Sequence, residues 1–117
     1  MDSQEFVDVI RLVVRDSAVS DTLDVLRHVP GRSPRPEDKE RSAWYNSLDI
    51  EQKRIVAGVI KDAVDSAVFG FLCVLDGVRA IEDAPRKGHL ELRYVKDGIT
   101  LLNTPTGEML HDIFNSN

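Results

Sequence analysis

The chain holds one cysteine, Cys73, among 117 residues, so no disulfide can close within it. That economy suits a reducing compartment. Positive charge is in deficit: 15 Lys and Arg face 20 Asp and Glu, for a net charge of -5. A nucleic-acid binder needs cations to displace the counterions on phosphate, so this class is disfavoured and no nucleic-acid partner is expected. No long apolar run is present. The longest uncharged stretch of the central segment, Ser66 to Leu75, spans ten residues. A membrane span needs roughly 18 to 20, so no membrane partner is expected. The opening MDSQEFVDVI is acidic and lacks the basic-then-apolar order of a secretory leader, and a cytoplasmic setting is the expectation.

Chemical signatures are equally sparse. His28, His89 and His111 lie far apart, with no His or Cys spacing of a zinc site. No Gly-x-Ser-x-Gly turn, phosphate loop or internal repeat occurs. No cofactor and no metal are therefore expected.

What is present reads as an ordinary globular chain, 42% apolar and 30% charged, long enough to bury a core as one domain over 1–117. Asp2-x-x-Glu5 forms a capping-box pattern ahead of Phe6, Ile10, Val13 and Val14, which predicts a helix over residues 2–16. Ser20 then suits the cap of a second helix ended by Pro30-Gly31; one continuous helix with a kink near 17–20 is the competing reading. Residues 30–38, with three prolines, read as an exposed loop. A helix follows over 36–47, anchored by Trp44 and Leu48. Asp49-x-x-Gln52 opens the longest helix, over about 50–76, and Gly77 suits its left-handed cap. One more helical turn through Val78, Ala80 and Ile81 is open. GHLELRYV alternates as a half-buried strand, Asp97-Gly98 signals a two-residue hairpin turn, and ITLLN returns. Thr104-Pro105 reads as the cap of a final helix carrying Met109, Leu110, Ile113 and Phe114. The fold class is thus mainly α (α+β): a small helical bundle around one long central helix, with a C-terminal β-hairpin and a short last helix.

Around the central helix, at about 100° per residue, Val56, Ile60, Ala63, Val64, Ala67, Phe71 and Val74 form one apolar face, expected to be the core. From Ala67 onward the helix is apolar all round, with Phe69, Leu72 and Cys73 on the opposite side. Either the hairpin and last helix cover that second face, or another chain does. The expected interface residues are Phe69, Leu72 and Cys73 with the aromatic pair Trp44 and Tyr45. Cys73 itself reads as a small buried hydrophobe, and Trp44 as core. Arg32, Arg35, Lys39 and Arg41 flank the pair and read as a solvated loop, or a modest site for anions.

Two functional classes follow. The first is a small cytoplasmic protein working by protein–protein contacts, as a regulator, inhibitor or immunity-type protein, with a homodimer through residues 67–78 as its companion. The second is a ligand binder or enzyme on an aspartate face, with Asp62, Asp65 and Asp76 aligned on one side of the helix. There Asp65 would act as base and Arg79 or Arg93 as anion clamp. Lacking a convincing catalytic set, the first is the reading taken.

Overall fold

A computed structural model describes residues 1–116. The chain is mostly helical, with a long α-helix, a two-stranded antiparallel hairpin and a short final helix. It forms two compact units, one of Met1–Val14 with the chain from Ser66 onward, the other of Arg15–Asp65.

In the first unit, α1 (Ser3–Ile10) starts under the expected capping box. Asp2 Oδ1 accepts from Glu5 N at 2.8 Å, and Glu5 Oε2 from Asp2 N at 3.3 Å. The interruption expected at 17–20 is absent. The chain passes through a π-helical segment, Arg11–Asp16, directly into α2 (Ser17–Arg27), so Ser20 caps nothing. The continuous-helix reading is the nearer one, with the irregularity one to two turns earlier.

The long helix α4 (Ile50–Leu75) opens on its predicted box: Gln52 N donates to Asp49 Oδ1 at 2.8 Å and Asp49 N to Gln52 Oε1 at 3.0 Å. It closes as a Schellman motif around Gly77, whose φ is +78°. Gly77 N reaches Val74 O at 3.1 Å and Val78 N reaches Cys73 O at 3.0 Å. This left-handed turn ends the helix, so Val78, Ala80 and Ile81 stay outside it and exposed.

The hairpin is shorter than expected. β1 (Arg93–Val95) pairs with β2 (Ile99–Leu101) in the register Val95↔Ile99, which leaves a three-residue loop, Lys96–Gly98. Asp97 takes a left-handed φ of 54° in it. Residues 88–91 join no ladder because a side chain takes the partner strand's place. Asn103 Nδ2 donates to Leu90 O at 2.9 Å and to Leu75 O at 2.6 Å, while its Oδ1 accepts from Leu92 N at 2.9 Å.

Thr104-Pro105 caps no helix. Residues 104–107 form a turn, with Gly107 N 3.3 Å from Thr104 O, and α5 (Leu110–Asn115) begins later. Its cap comes from a distant part of the chain, at Asp76. Its other end meets Arg11, whose Nη2 donates to the carbonyls of Ile113 and Phe114, with the guanidinium 5.7 Å from the Phe114 ring. Carboxylate at the N-terminus and guanidinium at the C-terminus both oppose the helix dipole.

Between these clamps lies the core: Val7, Leu72, Leu110, Ile113 and Phe114 are buried, with Phe6, Val68, Phe69, Leu75 and Leu92 packed against them. Each full burial contributes roughly 1.5–3 kcal/mol. The wheel reading of α4 is therefore corrected in its second half. Leu72 and Cys73 face inward, at 2% and 5% exposure, while Phe71, expected in the core, is 63% exposed. Which of two apolar faces turns inward was decided by where α1 and α5 dock, not by the helix itself.

The second unit holds α2, α3 (Pro36–Asn46) and the start of α4. Pro36 stands at the first position of α3, as its fixed φ favours. Asn46 Nδ2 donates to Arg27 O at 3.2 Å, fastening α3 to the end of α2. Tyr45 and Ser42 are buried, and Lys53 Nζ lies 5.4 Å from the Tyr45 ring centre. Trp44, expected in the core, is 56% exposed; its neighbour Tyr45 turns inward instead.

Candidate interaction face

Along one side of the first unit, Phe6, Ile10 and Val14 recur every fourth residue. They face Ala67, Val68, Phe71, Leu72 and Leu75 of α4 across a groove of about 280 Å³. No charged or polar side chain lines it. On the same helical stretch Val9, Leu12, Val13 and Val14 are exposed, as is Phe71 on α4. Among the described residues, fifteen large hydrophobic side chains are exposed and eight hydrophobic ones are buried. Of the exposed ones, Val14 and Phe71 line this groove, which makes it the candidate for a contact.

Of the expected interface residues, Leu72, Cys73 and Tyr45 are buried by their own chain, and Phe69 is half-buried against the core. Trp44 alone of the five is freely exposed. The exposed aromatic at the groove, Phe71, was assigned to the core because the wheel offered two apolar faces and no means of ranking them.

Of the three aspartates, Asp62 and Asp65 belong to the second unit and Asp76 to the first. Asp62 is exposed, and Asp65 is half-buried with Oδ1 3.8 Å from Arg15 Nε. Asp76, in the other unit, is 2% exposed in its side chain and wholly engaged. It accepts from Leu110 N at 3.2 Å, from His111 N at 2.8 Å, and sits 2.7 Å from His111 Nδ1. Of the proposed anion clamps, Arg79 is exposed with its guanidinium beside Gly70, and Arg93 pairs with Glu91 at 2.8 Å.

His111 and Asp112 also meet, with Nε2 3.3 Å from Asp112 Oδ1. The His111 ring stands edge-on to Phe69 at 5.7 Å. His28 ends α2 in solvent, and His89 is exposed 3.8 Å from Glu91. Arg32, Lys39 and Arg41 are exposed; Arg35 binds Asp38 through two nitrogens at 2.9 and 3.0 Å. That fork holds the Asp38 carboxyl below its ordinary value.

Among the described residues no group of His, Cys, Asp and Glu is placed to hold a metal ion, and no helix is long and apolar enough to cross a membrane. No known family, curated protein or solved structure matches this chain.

Proposed function

We propose that the protein acts through protein–protein contact at the groove of its first unit, and that the occupant is a second copy of the same chain. The observation carrying this reading is the uncharged apolar groove beside exposed Phe71. Its lack of charge matters for the choice of occupant. Two copies of a chain with net charge -5 repel each other, and a charged contact face would add to that repulsion at the closest approach. A twofold contact through an uncharged face brings the same patch of each copy together without it. Covering what remains exposed of Phe71 supplies roughly 1–2 kcal/mol per copy.

Light scattering after size exclusion, from micromolar to near-millimolar protein, tests the proposal. A mass rising toward the dimer, held at the monomer by Phe71→Glu, is the expected result. A monomer throughout, in the natural chain as in the variant, overturns it. If the pure chain stays monomeric yet an unrelated protein loses binding on Phe71→Glu, the groove serves another partner and the dimer is rejected.

A further inference from the structure

A second concavity lies wholly within the other unit and is unlike the first. We propose that it binds a phosphate monoester carrying an apolar group. Its walls come from one face of the helix through residues 15–27 and from Lys61 of α4, around about 310 Å³. Three cations line it, Arg15, Arg27 and Lys61, with one acid, Asp16, while Asp24 and Asp65 reach Arg27 and Arg15 from outside the lining. Ser20 and the half-buried side chains of Val19 and Leu23 complete the lining.

The three cations are held differently. Arg15 is 3.0 Å from Asp16 and 3.8 Å from Asp65, so these carboxylates fix it in place as part of the wall. Arg27 lies 3.6 Å from Asp24 in a loose pair that is more than half exposed on both sides, the kind an incoming anion displaces at little cost. Lys61 forms no ion pair among the described residues. Lys61 and Arg27 therefore supply the recruiting charge, and Ser20 a hydroxyl donor.

A phosphate monoester offers close to two negative charges and three acceptor oxygens at neutral pH, enough to engage a guanidinium fork, an ammonium and a hydroxyl together. A carboxylate offers one charge and two oxygens. Val19 and Leu23 give an apolar substituent its contact, as ligand sites combining apolar walls with a few convergent polar groups do. This site is independent of the groove and of any dimer.

Phenyl phosphate and inorganic phosphate, titrated into the whole protein and followed by amide NMR shifts at low salt, provide the test. Phenyl phosphate is expected to saturate shifts at Ser20, Leu23 and Lys61 and to bind more tightly than inorganic phosphate. Lys61→Gln, at an exposed position where the fold is retained, is expected to weaken it about tenfold, in line with one charge-assisted hydrogen bond. Arg27→Gln should act in the same direction. The proposal is overturned by the absence of saturation, by equal affinity for the two phosphates, by unchanged binding in both variants, or by shifts centred on Arg32 and Arg35.

Discussion

At Asp76 the chain ends one helix with its backbone and starts another with its side chain. The carboxylate is buried and accepts two backbone N–H groups of α5 besides facing His111. Asp76→Ala strands those donors, and a loss of about 2–3 kcal/mol is expected from the lost cap and the unsatisfied groups. Urea unfolding followed by circular dichroism measures it; a change under 0.5 kcal/mol would contradict the role assigned. Gly58 is the opposite case. It lies exposed in the middle of α4, and an added Cβ meets nothing within 4 Å. Close helix approach therefore does not require it, and Gly58→Ala should stabilise the protein by about 0.5–1 kcal/mol through helix propensity alone. Gly70 is buried, but the atoms an added Cβ would meet are the mobile end of Arg79, so that position is less stringent than burial suggests.

At the scale of elements, the first turns of α3 and α4 share a device. Arg35 bonds Asp38 and Arg54 bonds Glu51, and each bond lowers the acid from its ordinary value near 3.8 or 4.5. A depressed folded-state value means that the contribution is complete above the ordinary value and lost as pH falls through the lowered one. Both arginines are exposed and both pairs lie in a helix's first turn, so the expected effect is local fraying in acid, not global unfolding. Carboxyl NMR titration should give an Asp38 midpoint under 3.8, returning toward it in Arg35→Gln. An unmoved midpoint would remove Arg35 as the cause. Local signals of this kind were also the legible part of the sequence. Both capping boxes, Pro36 and Gly77 lie within a few residues of what they control, and all four stand where pattern alone put them. The cap of α5 was invisible, because its donors and acceptor are 34 residues apart. Thr104-Pro105 offered a nearer and mistaken answer. The hairpin lost its first residues to Asn103 for the same reason: a side chain from elsewhere took the backbone's partners.

For the whole molecule, burial is unevenly divided. Among the described residues, seven of the eight buried hydrophobic ones belong to the first unit and Tyr45 to the second. Local stability follows buried contact, so amide hydrogens around Val7, Leu72 and Ile113 should exchange more slowly than those of α2 and α3. Hydrogen exchange with mass spectrometry reads this directly, and equal protection would count against it. The candidate surface was half legible on the same grounds. That residues 67–75 are apolar on every side was plain, and so was the need for cover. Which side received it depended on α1 and α5, and the wheel could carry no information about them.

The placement of α5 also bears on how the protein comes into being. Chains are made from the N-terminus, and segments begin to fold as they emerge. Val7 and Leu72 are synthesised long before Leu110, Ile113 and Phe114, which complete their burial. Until α5 emerges, the nascent chain therefore carries an unfinished core, open on the side that α5 will close. A ribosome that still encloses α5 would leave that opening to chaperones and proteases, and the emergence of α5 would withdraw it.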